Sequence, residues 1–306
     1  MSTVADAPSE RFEAERPRLV GLAYRILGSR LDAEDVVQEA WLRLQAASPG
    51  SIRDEPAWLT TVVSRLALDV LRSARVRREQ YVGPWLPEPV LGRSGVGASA
   101  DPADDPAHAA EMAESLTFGF LRMLEALGPE ERVIFLLADV FRLPFADIAA
   151  IVDRSPAACR QAASRARKRV RTDRDHPSAA PADARDVATQ LVGAIIAGDL
   201  EQVVSLLADG AVLISDGGAL ARAARQPVIG PHRISRFLVN ISHRMAGYEM
   251  TVEPAELNGD PGVVVRLHGI LFMALALHVR DGRVTDLHMV RNPDKLAALN
   301  VQGNLV

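Results

Sequence analysis

The chain has 306 residues, of which 48% are apolar and 24% charged, with a formal net charge of −4. This balance suits about two or three soluble globular domains and excludes the fibrous and intrinsically disordered classes. A single cysteine, Cys159, rules out an internal disulfide or a cysteine metal cluster and agrees with a reducing compartment. The N-terminus, MSTVADAPSERFEAERP, is polar and acidic, unlike a signal peptide. The longest apolar run, around GILFMALAL, falls short of the ~20 residues that a membrane helix needs. A cytoplasmic chain with no membrane partner is expected.

In chain order, RFEAERPRLVGLAYRILG sets Phe12, Leu19, Leu22, Ala23 and Ile26 at helical spacing, with Gly28 as a stop. LDAEDVVQEAWLRLQ follows, with Asp32 as the expected N-cap and Val36, Val37, Ala40, Trp41 and Leu44 as the apolar face. A third helix, EPAWLTTVVSRLALDVLRSARVRRE, begins near Pro56 and turns basic toward its end, where it could meet phosphate.

VGPWLPEPV, Val82 to Val90, then places a tryptophan among Pro84, Pro87 and Pro89. Each proline fixes φ and removes a backbone donor, so neither a regular helix nor a central strand fits. Trp85 and Leu86 therefore need cover from elsewhere in the chain. The surrounding GPWLPEPVLGRSGVGASADPADDP, like the later TDRDHPSAAPADA, lacks apolar periodicity and reads as linker. Segments 1–80, 110–172 and 184–306 are then expected as domains, with 81–109 and 173–183 between them.

The second segment holds LGPEERVIFLLADVFRLPFADIAAIVDRSPAACRQAASRARKRVR. Ile148, Ile151 and Val152 form the apolar side of a short helix, VDRS is a tight connection, Ser155 can cap and Pro156 suits a first helical position. Short helix, turn and capped longer helix make a helix-turn-helix. On the longer helix Cys159, Ala162, Ala163, Ala166 and Val170 face inward, so Cys159 reads as a small core residue. Ala157, Arg160, Gln161, Ser164 and Lys168 face outward, where Arg160 and Gln161 suit guanine and adenine edges in a major groove. Arg165, Arg167, Arg169 and Arg171 lie to the sides, where phosphates run.

The third segment begins with two helices broken at Gly198, then a strand, a helix over GPHRISRFLVNISHRM, and strands at about 248–257, 262–279 and 283–291. Asn258-Gly259 and Asp281-Gly282 signal tight hairpins. Helices on one face of a curved antiparallel sheet are expected, an α+β domain. Along 262–279, taken as one strand, Val263, Val265, Leu267, Leu271, Met273, Leu275 and Leu277 share a face, and Arg266, His268 and His278 share the other. His268 and His288 could line a cavity as acid/base groups, but no paired carboxylate and histidine stands at fixed spacing. Surface or interdomain positions are expected for the histidines, His232 and His243 among them.

DAEDVVQEAWLRL and EPAWLTTVVSRLALDVLRS resemble region 2 of the extracytoplasmic-function sigma factors, and LGPEERVIFLLADVFRLPFADIAAIVDRSPAACRQAASRARKRV resembles their region 4. WLPEP, DGGA at 216–219 and NPDKL at 292–296 resemble the motifs of the SigJ-type subgroup, whose members carry a C-terminal SnoaL-like domain. The subgroup commonly reads DGGGK; here Leu220 stands in place of that lysine.

The resemblance implies two all-α sigma domains followed by a cone-shaped α+β domain. It implies that Asp32, Asp35, Gln38 and Glu39 dock on the β′ clamp helices of RNA polymerase, with the β flap as a further contact. Trp58, Arg65, Arg72, Arg75, Arg77 and Arg78 would engage the −10 element, where melting needs an aromatic or apolar pocket and cations; the arginines rank above Trp58. Region 4 would read the −35 element through Ala157, Arg160, Gln161, Ser164, Arg165, Lys168 and Arg169. Promoter elements about 25 base pairs apart lie roughly 85 Å apart, and a linker of about 30 residues can stretch to roughly 100 Å.

The expected function is that of an alternative sigma factor controlled in cis by its third domain. Trp85, Leu86 and Pro87 would meet Asp216, Gly217, Gly218, Asn292, Pro293, Asp294 and Lys295. The rival is a SnoaL-like cyclase or isomerase fused to a DNA-binding module. No cofactor, metal or catalytic residue is expected; the cone leaves room for a small-molecule ligand.

Overall fold

Gly28, at φ 69°, ends α1 (Pro8–Leu27) by donating its N–H to Tyr24 O at 2.6 Å. Ser29 is extended and caps α2 (Arg30–Ala46), its hydroxyl accepting the Asp32 N–H at 3.2 Å. The cap expected at Asp32 therefore belongs to Ser29: Gly28 releases the chain early, and Asp32 stands inside the first turn, where its charge complements the helix dipole. In the computed structural model, residues 8–48, 51–79, 81–92, 106–171 and 181–302 are described. Asp54 caps α3 (Glu55–Glu79), accepting the Ala57 N–H at 3.0 Å. Leu19, Leu22, Val36, Val37, Leu59 and Val63 are buried where these helices meet.

Beyond them lie α4 (Pro106–Glu114), α5 (Phe118–Met123), a 3-10 turn (Leu124–Ala126), α6 (Pro129–Phe135), a π-helical turn (Leu136–Val140), α7 (Phe145–Val152) and α8 (Pro156–Arg171). The chain forms two units. Among the described residues, the first gathers α1 to α4 with α6 to α8, and α3 packs on α6 and α7 within it. Two buried arginines stitch this unit. Arg25 donates to Gly21 O and Met112 O, both at 2.9 Å, and to Ser115 Oγ at 2.7 Å. Arg132 pairs with Glu125 and donates to Arg25 O at 3.1 Å. Burial lowers the Arg25 pKa to about 9, which still leaves it charged at neutral pH.

The second unit contains 81–92, 117–122 and 181–302 among the described residues. Its elements are α9 (Pro181–Ala197), α10 (Leu200–Leu206), β1 (Leu207–Asp216), β2 (Val228–Ile229), α11 (Pro231–Met245), β3 (Met250–Leu257), β4 (Asp260–Leu267), β5 (Ile270–Arg280), β6 (Arg283–Val290) and α12 (Pro293–Gln302). The sheet order is β2-β1-β6-β5-β4-β3. It is mixed rather than antiparallel throughout, because β1 pairs parallel with β6. The helical stretch after β1 returns the chain to the far edge of the sheet before the β3 to β6 meander begins.

The single strand expected over 262–279 is two strands. His268 at φ 50° and Gly269 at φ 75° form a two-residue turn that pairs Leu267 with Ile270. Both central positions are left-handed, as the twist of a tight hairpin requires. Alternating apolar residues on either side concealed the break. His268 consequently lies at a turn tip with its side chain 60% exposed, and does not share a face with His278.

Val263, Val265, Met273, Leu275, Leu277 and Met289 face α9 and α11 across one core. The other sheet face is also covered. Ile214, Val264, Ala274, Ala276 and Val290 lie under Leu86, Phe118, Leu296 and Leu299. The proline-rich stretch and the start of α5 thus supply apolar cover to the C-terminal sheet.

Candidate nucleic-acid interface

α7 ends at Asp153, whose left-handed backbone (φ 54°, ψ 53°) turns the chain sharply. Ser155 Oγ then accepts the Ala158 N–H at 3.2 Å and starts α8. Cys159, Ala162, Ala163, Ala166 and Val170 are buried, whereas Ala157, Arg160, Gln161, Ser164 and Lys168 are exposed. The α8 cations fall into two sets. Arg165 and Arg169 approach Glu131 at 3.5 and 2.6 Å, and Arg167 approaches Asp139 at 2.7 Å, so acids on α6 and the π turn orient them. Arg160 and Gln161 project outward from the first turns, the geometry a groove-reading pair requires.

α2 exposes Asp35, Gln38 and Glu39, with Asp32 half-buried; Glu39 is paired with Arg43 at 3.0 Å. On α3, Trp58 is half-buried. Arg65 donates to Ala150 O at 2.7 Å, and Arg72 pairs with Glu130 at 2.7 Å and Asp69 at 3.3 Å. The side chains of Arg75, Arg77 and Arg78 lie outside the described residues.

The proline-rich stretch is bound by a buried polar nest. Asp216 Oδ2 accepts the Leu86 N–H at 2.8 Å and the Lys295 ammonium at 2.7 Å; Oδ1 accepts the Tyr81 hydroxyl at 2.6 Å and the Gly218 N–H at 3.1 Å. Lys295 also donates to Leu86 O, and lies 4.2 Å from the Trp85 ring centroid and 5.1 Å from that of Tyr81. The ammonium is therefore satisfied by one charge, one carbonyl and two aromatic faces. Burial, then the hydrogen bond and charge of Asp216, push the Tyr81 phenol upward, which keeps it a donor.

The DGG and NPDKL stretches explain themselves in this nest. A Cβ on Gly217 would stand 2.3 Å from Ala221 O; one on Gly218, at φ 57°, would stand 2.8 Å from Asn292 Nδ2. Asn292 caps α12, accepting the Asp294 N–H at 3.1 Å, and donates to the Tyr81 hydroxyl at 2.8 Å. Pro293 takes the first helical position, Asp294 the first turn, Lys295 the ion pair and Leu296 the core. Leu220, in place of the subgroup's lysine, is 74% exposed, and Lys295 is the cation at Asp216. Leu86 and Pro87 are buried, and Val90 exchanges backbone and side-chain bonds with Asn258 at 2.9 and 3.0 Å.

Comparison with known proteins accounts for both units. The Sigma-70 region 2 model matches residues 11–77, and the Sigma-70, region 4 model matches residues 118–170. Over 294 residues the chain is 43% identical to the ECF RNA polymerase sigma factor SigJ of Mycobacterium tuberculosis, spanning 93% of this chain and 91% of the relative. The chain belongs to the extracytoplasmic-function sigma factors. A probable ECF sigma factor SigI from the same species is 34% identical, over 97% of each chain. The crystal structure of M. tuberculosis SigJ superposes with a TM-score of 0.71 at 38% identity, covering 94% of this chain and 98% of that one. Promoter-specific initiation of transcription with RNA polymerase is accordingly the function of this sigma factor.

The histidines of the C-terminal unit lie in different surroundings. Between sheet and helices a small cleft of about 60 Å³, partly open to solvent, is lined by apolar side chains, Met245, Met250, Met273 and Met289 among them, with Ser242 as its polar group. His278 Nδ1 lies 2.9 Å from Asp260 Oδ1. His288 is buried against Phe118, ring centroids 5.4 Å apart, and neither ring nitrogen has a hydrogen-bond partner. Burial pushes its pKa down to about 4. His232 and His243 are exposed. Among the described residues no helix is long and apolar enough to cross a membrane.

Sequence reasoning passed over several residues. Tyr81 sits beside the WLPEP stretch without a motif of its own, and Asn258 read only as a turn residue. Leu31 and Leu42, 68% and 51% exposed, stand at i and i+11 on α2, in line with Asp35 and Gln38. That exposed apolar spacing was legible in the sequence.

Proposed function

We propose that the sigma factor divides its work as follows. Residues 1–80 bind core polymerase and the −10 element, 110–172 bind the −35 element, and 184–306 control initiation in cis by holding the linker 81–109. Segment 173–183 joins the last two. Asp32, Asp35, Gln38 and Glu39, flanked by Leu31 and Leu42, dock on the β′ clamp helices, and region 4 meets the β flap. Acids beside phosphate repel it, which favours polymerase over DNA as the partner of this α2 face. Arg160 and Gln161 read bases while Arg165 and Arg169 hold phosphates. Trp58, Arg65, Arg72, Arg75, Arg77 and Arg78 serve the −10 strand.

The observation that carries control in cis is the Asp216 nest. One buried carboxylate bonds the Leu86 amide, the Tyr81 hydroxyl and Lys295 at once. A proline-held segment loses little entropy on docking, so the nest can fix where the linker leaves the C-terminal unit. The C-terminal unit acts as a regulator rather than an enzyme. His278 is engaged by Asp260, His288 lies under Phe118, and the apolar cleft offers no acid/base pair.

The test is run-off transcription with purified core polymerase. Trp85→Ala changes promoter output while core binding, measured by gel filtration, stays as in the wild type; unchanged output would remove the clamp from the regulatory account. Reversing Asp35 and Glu39 to lysine abolishes core association with the circular dichroism spectrum intact; normal association would eliminate that face. Turnover of a polyketide-like substrate by the chain would restore the enzyme reading.

A further inference from the structure

We propose that Glu130 is an autoinhibitory residue that holds region 2 against region 4 by occupying a cation needed for the −10 strand. The inference rests on the reading of Arg65 and Arg72 as DNA-binding residues. Glu130 begins α6, and its carboxylate takes Arg72 of α3 on one oxygen at 2.7 Å and Arg154 of the helix-turn-helix connection on the other. Those hydrogen bonds and charges, led by Arg72, hold the Glu130 carboxyl below the usual carboxylate range against a smaller opposing effect of burial. Seven residues before Arg72, and so on the same side of α3, Arg65 donates to Ala150 O at the end of α7. Arg132 of α6 donates to Arg25 O of α1.

Two of the −10 cations are thus tied into region 4 in this arrangement. With α3 packed on α6 and α7, the two modules are side by side, whereas promoter elements about 25 base pairs apart require a separation of roughly 85 Å. Engaging both elements therefore requires this contact to open. Phosphate competes with Glu130 for Arg72, so DNA and the closed arrangement exclude one another at the same guanidinium. The groups facing the Arg72 head are Asp69 on its own helix and, from the facing elements, Glu130, Asp153, Arg154 and Arg165. The pair is partly exposed, with side chains 48% and 29% accessible, so salt weakens it and the latch is reversible.

The test measures binding of fluorescein-labelled dT20 to the full chain by anisotropy at low salt, for the wild type, Glu130→Gln, Arg72→Gln and the double variant. Glu130→Gln raises affinity about threefold, the scale expected for a surface pair released from competition. Arg72→Gln removes at least half of that gain, because the freed group is Arg72. Glu131→Gln, an identical charge change with no bond to α3, shows a gain that Arg72→Gln leaves intact. No gain from Glu130→Gln, or a gain fully kept in the Arg72→Gln background, overturns the latch. Spin labels at Ser73 on α3 and Ser164 on α8 separate this failure from that of the underlying reading. If Glu130→Gln broadens their distance distribution while Arg72→Gln leaves wild-type affinity unchanged, Glu130 holds the modules together but Arg72 is not a DNA contact, so the underlying reading fails and with it the competition for the −10 strand. If the distribution does not change, the latch is absent.

Discussion

Glu130 in the first unit and Asp216 in the second each bind a cation from a different stretch of chain, in opposite surroundings. Glu130 and Arg72 are 29% and 48% accessible, whereas Asp216 and Lys295 are 0% and 8% accessible. Water stabilises the separated charges of the first pair nearly as well as their contact does, so that pair can be exchanged for DNA phosphate. The second pair has left water behind, and every oxygen of Asp216 is met by a donor. Breaking it strands a buried charge. Similar ion-pair distances thus give a latch in one unit and a fixed clamp in the other.

The sharpest way to break this comparison is to neutralise each acid. Asp216→Asn lowers unfolding stability by roughly 3–5 kcal/mol, since Lys295 loses its counter-charge, whereas Glu130→Gln changes it by less than about 1 kcal/mol. Urea denaturation of both variants measures the contrast; equal losses would erase it. The apolar part of the clamp follows. Leu86 is fully buried beneath the sheet, so Leu86→Ala costs about 2–5 kcal/mol in the same assay, while trimming the exposed Leu220 to alanine costs almost nothing.

The outer sheet face also carries a pH dependence of its own. His288 has its pKa lowered from 6.5 to about 4, chiefly by burial, so folding favours its neutral form. Its contribution is complete above about pH 6.5 and is lost as pH falls toward 4, a change of about 3 kcal/mol. Urea midpoints between pH 6.5 and 4.5 should therefore fall more steeply in the wild type than in His288→Phe; parallel curves would show that His288 is not neutralised by burial.

Much of this was readable in the chain. The α7 turn, the Ser155 cap and the inward stripe from Cys159 to Val170 follow from local patterns, which is why α8 and its outward face emerged from sequence alone. The resemblance pointed to a meeting of Leu86 with DGG and NPDKL, but not to the individual bonds of Asp216 and Lys295, because partners so far apart in the chain leave no periodic signal. The break at His268 was hidden for a related reason: His-Gly is a weaker turn signal than Asn-Gly, and the apolar alternation ran through it. The Ser29 cap was missed because the apolar pattern of α2 begins after its first turn. Glu130 and Glu131 belong to no motif, and only packing shows which arginines they meet.

A smaller effect distinguishes residues within α8. Arg160→Ala removes about 1–3 kcal/mol of discrimination at one −35 position, whereas Arg169→Ala, whose side chain is oriented by Glu131, weakens all sequences alike and reduces the salt slope. Transcription from a panel of single-base promoter variants separates the two; uniform effects from both would reverse the assignment.

The claim on which the account depends most is that the proline-rich stretch is part of the C-terminal unit. Hydrogen exchange at the Leu86 and Val90 amides in the full chain measures it directly, because both N–H groups donate into that unit, to Asp216 and Asn258. The account predicts protection comparable with the β4 and β5 amides, lost at Leu86 in Asp216→Ala. Exchange at the rate of an unstructured peptide in the wild type would contradict it.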